Sequence, residues 1–172
     1  LRKIGNIIEY PFFYERLTAK ENLEIHCEYL DYHNNQSIDE VLEMVNLSDT
    51  CIKKVKDFSL GMKQRLGIAR AIITKHKLLI LDEPINGLDP VGIREMRDLF
   101  KKLSRENGIT ILISSHILGE IEQIADTIGV IENGYLVKEV SMVEIREQMS
   151  DYIDLVVDDK EAVVRLLKGQ LL

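Results

Sequence analysis

The 172-residue chain contains no apolar run long enough to cross a membrane. Its most apolar stretches, Leu78 to Leu81 and Ile109 to Ile113, are strand-sized. No charged leader followed by a long apolar region opens it, so no secretory signal is visible. A basic excess is also missing: 29 acids stand against 22 Lys plus Arg, a formal charge of −7. Autonomous nucleic-acid binding normally needs the opposite sign. Cysteine is scarce, and Cys27 and Cys51 have neither Cys-x-x-Cys spacing nor His partners at metal-ligand spacing. Two idle thiols in a reducing, cytosolic compartment fit better than a disulfide or metal framework. The three Pro are scattered, and no repeat, linker or biased tract is present. What is there, 45% hydrophobic and 30% charged residues, is the composition of a globular domain. At roughly 150 residues per domain the length predicts one domain. Leu1 stands where Met would, so the chain is expected to be an excised piece.

Ile4 to Ile8 form a short apolar run ended by Glu9, Tyr10 and Pro11, as for a buried strand and a turn. Thr18-Ala19-Lys20-Glu21 is a capping-box pattern, followed by Leu23, His26, Tyr29 and Leu30 at helical spacing. Ser37-Ile38-Asp39-Glu40 repeats that signal before Val41, Leu42 and Val45. From Thr18 to about Lys77 only helices are expected.

The texture changes at Leu78. Leu78 to Leu81 is uniformly apolar, as for a strand covered on both faces of a parallel sheet. Asp89-Pro90 can cap and start a helix carrying Val91, Met96, Leu99, Phe100 and Leu103, with Gly108 to close it. Ile109 to Ile113 predicts the next strand, and Ile117 to Ala125 a short helix. Asn133-Gly134 between Ile128–Ile131 and Tyr135–Val140 is a strong hairpin signal. Ser141 with Glu144 caps a further helix, Tyr152 to Val157 reads as a strand and Glu161 to Lys168 as a last helix. Strand and helix alternate after Leu78, giving an α/β layer beside an all-helical lobe.

Four apolar strand residues followed by Asp82-Glu83 are the most informative feature. Ligands of open α/β sheets bind outside the carboxyl ends of the strands, where these acids sit. Asp82 suits a Mg²⁺ ion, which wants one or two carboxylates plus water and phosphate oxygens. Glu83 is then placed to deprotonate a water for in-line attack on phosphorus. For the dipeptide alone, solvated acids ending a strand are an equal alternative. Ser59 is a good N-cap, and a helix from Leu60 would present free N–H groups and a positive dipole end to an anion. Gly61 allows close backbone approach there.

Longer motifs decide between these readings. Leu78 to Pro90 reads LLILDEPINGLDP and resembles the Walker B motif and D-loop of ABC transporter ATPases. Phe58-Ser59-Leu60-Gly61-Met62-Lys63-Gln64-Arg65 is similar to that family's signature motif, and Ile113-Ser114-Ser115-His116 to its H-loop. Ile4 to Glu9 followed by Leu17 to Leu23 resembles the Q-loop and the helix after it. The four motifs stand in family order from about Ile4 to Val140.

The resemblance implies a P-loop NTPase core of α/β class, with a parallel sheet, an all-helical lobe and a C-terminal β-hairpin. It places a partial ATPase domain at 1–140, with the helical lobe at about 18–77 and the α/β core at 4–9 and 78–140. Residues 141–172 would start a C-terminal accessory region. It implies ATP and Mg²⁺, with Asp82 and Glu9 at the metal, Glu83 as base and His116 on the γ-phosphate. Ser59, Gly61 and Asp89 would act across a head-to-tail homodimer. A transmembrane permease subunit would dock on the helical lobe, holding the protein at the cytoplasmic face of the cell membrane.

Three departures from the family pattern stand out. Glu9 replaces the usual Gln, and Leu60 and Met62 replace Gly and Gln of the signature. These replacements resemble the subgroup that exports, or confers resistance to, peptide antibiotics such as bacitracin and lantibiotics. No Gly-x-x-x-x-Gly-Lys-Ser/Thr loop occurs in these residues, so the chain is expected to be a fragment that is inactive alone. The family places that element on a strand beside Ile109–Ile113, so an unpaired sheet edge and self-association are further expectations. The rivals are a soluble ATPase with the same cassette and a non-enzymatic truncated interaction module.

Overall fold

A computed structural model describes residues 4–8, 11–50, 52–148 and 163, excepting the side chains of 35 and 148. The strand expected at Tyr152–Val157, and Glu9 and Cys51, lie outside the described residues. So does the helix expected at Glu161–Lys168, apart from Val163, which is helical. The chain divides into two compact units, Leu1–Ala125 and Asp126–Leu172.

In the first unit, β1 (Ile4–Ile7), β2 (Leu78–Asp82) and β3 (Thr110–Ser114) form a parallel sheet in the order β1-β2-β3. The register pairs Ile7 with Leu81, Leu81 with Ile113 and Asp82 with Ser114. Alternate residues therefore share a face. Ile7, Leu79 and Leu81 are buried, with Ile111 and Ile113 packed beside them. Asn6 and Leu112, on the other face, are exposed. Continuous burial of β2 on both faces, expected from its unbroken apolar run, is thus corrected to one buried face among the described residues. Gly5 lets a helix lie on the sheet, since a Cβ there would sit 2.3 Å from the Ala71 carbonyl oxygen.

Helix α1 (Ala19–Tyr29) starts as predicted. Thr18 Oγ1 accepts from the Glu21 N–H at 3.2 Å, and Glu21 Oε2 accepts from the Thr18 N–H at 2.7 Å. Helix α2 (Asn35–Met44) does not start at the predicted Ser37. Asn34 is the cap, its Oδ1 accepting from the Ser37 N–H at 3.3 Å. Ser37 is buried inside the helix, with its hydroxyl 3.2 Å from that of Tyr32. The two 3₁₀ turns at Ser48–Thr50 and Val55–Asp57 lead to α3 (Leu60–Ile72). Leu23, Ile38, Val45, Leu66, Ile68 and Ile73 close this lobe in the same apolar cluster that covers β2. Cys27 is a free, buried thiol, its pKa pushed up by burial and by Glu28 and Glu24.

Helix α4 (Pro90–Arg105) buries Met96, Leu99, Phe100 and Leu103 along one stripe. Each such side chain contributes about 1.5–3 kcal/mol over an exposed position. Gly108 takes φ +64 in the turn beyond it. Helix α5 is shorter than predicted: Leu118–Ile121 alone is helical, and hydrogen-bonded turns carry the chain to Ala125. Ile117 supplies no capping oxygen, and Gly119 weakens the turn.

In the second unit, β4 (Thr127–Glu132) and β5 (Tyr135–Ser141) form an antiparallel hairpin. Asn133 and Gly134 have φ +49 and +82, the pair of left-handed residues that the turn requires. Ser141 Oγ then accepts from the Glu144 N–H at 3.1 Å, starting α6 (Met142–Gln148).

Candidate active site

Parallel register brings the ends of β2 and β3 side by side, and a single hydroxyl joins them. Ser114 Oγ donates to Asp82 Oδ1 at 2.5 Å and accepts from the Glu83 N–H at 2.9 Å. Glu83 itself sits at φ +47, a conformation that non-glycine residues rarely adopt. That turn carries its carboxylate off the strand line and onto His116. His116 Nδ1 lies 3.0 Å from both Glu83 carboxylate oxygens. An ionised carboxylate can only accept, so the proton between the two groups is carried on Nδ1. The imidazole is 64% exposed and the carboxylate 33%, so both can meet a ligand from solvent. The Ile117 N–H donates to Ser115 Oγ at 3.1 Å, shaping the turn that carries the histidine.

The residues predicted at helix starts are held differently. Ser59 Oγ accepts from the Met62 N–H at 3.2 Å, leaving the Leu60 and Gly61 N–H groups without intrahelical acceptors. A Cβ added at Gly61 would meet only Leu88 Cδ2, at 3.8 Å, so packing within this chain does not require glycine there. Asp89 Oδ1 accepts from the Gly92 N–H at 3.0 Å. A Cβ at Gly92 would approach that same oxygen to 2.8 Å, so this cap does depend on its glycine.

Asp82, Glu83 and His116 therefore come together at the strand ends, Ser59 and Gly61 stand at the start of α3, and Asp89 at the start of α4. Glu9 lies outside the described residues. Ser114 was legible only as part of a motif. Its bridging role depends on the Asp82–Ser114 pairing across the sheet, which no local pattern announces. Among the described residues no three His, Cys, Asp or Glu side chains are grouped to hold a metal by themselves. Mg²⁺ does not need such a group, and the hard oxygens of Asp82 and Ser114 fit an ion whose shell is completed by phosphate and water.

The loop beyond residue 10 is pinned to α3. Arg70 donates to the Phe12 carbonyl at 2.9 Å, and its guanidinium lies 4.9 Å from the Phe13 ring centroid. Asn22 ties the same loop to α1, accepting from the Tyr14 N–H at 2.8 Å and donating to the Thr18 carbonyl at 2.8 Å. Burial, with the Arg70 charge adding to it, holds the His26 imidazole below its ordinary pKa.

Comparison with known proteins identifies the family of the chain. The profile of the ABC transporter family matches residues 1–86. This chain belongs to the ATP-binding proteins of the ABC transporter family. It is 62% identical to the uncharacterized ABC transporter ATP-binding protein YcbN of Bacillus subtilis (strain 168), over 99% of this chain and 56% of that protein. To the bacitracin transport ATP-binding protein BcrA of Bacillus licheniformis it is 50% identical, over 98% of this chain and 55% of that protein. Among solved structures it is similar to a dimeric ATP-binding cassette in a post-hydrolysis state with ADP and Pi. That likeness has a TM-score of 0.67 and 26% identity, over 81% of this chain and 63% of that one. The chain spans about half the length of the curated relatives it matches. As an ABC transporter ATP-binding domain it has the α/β class read from its sequence. No helix among the described residues is long and apolar enough to cross a membrane.

Proposed function

We propose that the intact protein containing this chain hydrolyses ATP to drive an ABC exporter acting on a peptide antibiotic such as bacitracin. The observation that carries the reading is the pairing of half-buried Glu83 with exposed His116, at the edge where Asp82 and Ser114 meet. Asp82 would hold Mg²⁺, with Glu9 as a second oxygen donor, and the bound ion would neutralise charge on the phosphates. Glu83 takes the proton of the attacking water. The Ser114 hydroxyl holds its backbone N–H, and His116 Nδ1 holds its carboxylate. His116 Nε2, when it carries a proton, would donate to an oxygen of the γ-phosphoryl group.

Ser59, Gly61 and Asp89 serve the nucleotide of a second copy packed head to tail. The room over Gly61 and the outward N–H groups of α3 support this. The permease subunit docks on the helical lobe beside the loop that follows Glu9. Exposed Phe12, Tyr14 and Tyr29 supply apolar area there. The protein then sits on the cytoplasmic face of the membrane. We assign residues 1–140 to the ATPase domain and 141–172 to an accessory region. Without a phosphate-cradling loop in these residues, this chain alone binds Mg-ATP weakly.

Expression of the full-length protein with its permease in a bacitracin-sensitive host tests the reading. Protection from the antibiotic, lost in Glu83→Gln, is expected. Turnover of Mg-ATP without any protection would leave the ATPase and remove the substrate assignment.

A further inference from the structure

The His116 imidazole rests on Glu83, and the Ser115–Ile117 hydrogen bond shapes the turn that carries it. The ring is mostly exposed, and α5, which follows it, is four residues long with no buried residue and no side-chain cap. Helix α4, by contrast, is fixed by Met96, Leu99, Phe100 and Leu103 in the core, and by an ion pair from Glu95 to Arg65 of α3 at 3.4 Å. Ile124 packs on the core that α4 helps to form, and a polar tie joins the helix to the same segment. Arg97 of α4 hydrogen-bonds Gln123 Oε1 and lies 3.8 Å from Glu120 Oε2. Gln123 Nε2 in turn donates to the Gly119 carbonyl at 3.1 Å, closing the turn on itself.

The charges at this joint are poorly hydrated. The Arg97 and Glu120 side chains are 18% and 24% exposed, and Glu120 Oε2 has no hydrogen-bond partner. The Arg97 charge is thus what compensates that carboxylate oxygen. Removing one member of such a pair leaves an uncompensated charge, which costs more than the pair itself contributes. The segment 117–125 would then move away from α4 to hydrate Glu120, and the backbone of His116 would move with it.

We infer that Arg97 is a positioning residue for His116. Through Glu120 and Gln123 it clamps the segment after the histidine to α4, whose first turn carries Asp89. The inference rests on the proposed hydrolytic role of the Glu83–His116 pair. Arg97 would act through this segment and not on the nucleotide itself, so its loss should change the rate of the chemical step and not the binding of substrate.

The test is steady-state Mg-ATP hydrolysis by the full-length protein. Arg97→Met is expected to lower kcat by about tenfold while KM stays within about twofold. Arg97→Lys keeps a charge opposite Glu120 without the planar fork, and is expected to recover part of that loss. In a His116→Ala background, Arg97→Met is expected to cost nothing further, because the group it positions is gone. An unchanged kcat in Arg97→Met would overturn the inference, and so would a loss confined to KM or a full additional loss in the double variant. If Arg97→Met does not fold, Gln123→Leu carries the same test with a smaller loss, and an unchanged kcat there has the same meaning. A wild-type protein that does not hydrolyse Mg-ATP would instead overturn the site assignment, and this inference with it.

Discussion

The carboxyl ends of β2 and β3 hold their polar groups against one another, whereas the amino ends of α3 and α4 hold theirs against their own backbone. At the strand ends every partner is distant in sequence: Ser114 reaches Glu83 and Asp82 across 31 and 32 residues, and His116 reaches Glu83 across 33. At the helix starts each cap closes over three residues, Ser59 to Met62 and Asp89 to Gly92. The strand ends form a set of mutual contacts around a glutamate at positive φ. The helix starts are locally complete and direct their remaining N–H groups outward. One region depends on the register of the sheet; the other is specified within a single turn of helix.

Breaking the joint at the strand ends should have the largest effect. Ser114→Ala leaves Asp82 and the Glu83 N–H without their shared partner, an expected loss of about 1–3 kcal/mol. In the full-length protein both thermal stability and turnover should fall, whereas Ser114→Thr, which keeps a hydroxyl, should retain most of each. Denaturant melts beside turnover assays measure the two. Equal behaviour of the Ala and Thr variants would remove the hydroxyl bridge from the account.

Effects at the helix starts should be smaller and separable. Asp89→Ala removes a cap worth about 1 kcal/mol, and Asp89→Asn, which can still accept from Gly92, should restore that stability. Gly61→Ala should stabilise α3 by up to ~1 kcal/mol, since Ala favours helix and the site has room, while lowering turnover. A Gly61→Ala protein that is both stable and fully active would mean that nothing approaches the start of α3.

The smallest expected effect is a pH dependence in the helical lobe. Burial lowers the His26 pKa from its ordinary 6.5, so the fold favours the neutral ring. The unfolded chain binds that proton more readily, so the contribution is present above pH 6.5 and is lost as pH falls through the folded value. His26→Gln should flatten the decline of melting temperature on acidification. An unchanged slope would assign that decline to other groups.

These differences also explain what could be read from the sequence. The caps at Thr18, Ser59, Asp89 and Ser141 and the turn at Asn133-Gly134 were legible because each is specified within a few residues. Local rules still compete: Asn34 took the cap expected of Ser37 because Ser37 is buried beside Tyr32. The Ser114 bridge and the Arg97 clamp depend on which strands and helices lie side by side, which spacing along the chain does not encode. The same holds for the open face of the sheet, since an unbroken apolar run carries no record of what packs on each side. Asp82, Glu83 and His116, the residues proposed for the site, were singled out through the resemblance of their motifs. Their mutual geometry was not.

The most direct test of the division between the two regions is turnover and nucleotide binding in full-length Glu83→Gln. The account predicts that Mg-ATP hydrolysis falls by about 10²–10⁴-fold, the range of a general base, while Mg-ATP affinity by titration calorimetry is retained. Hydrolysis near the wild-type rate would contradict it, placing the base elsewhere and reducing the Glu83–His116 pair to a strand-end ion pair.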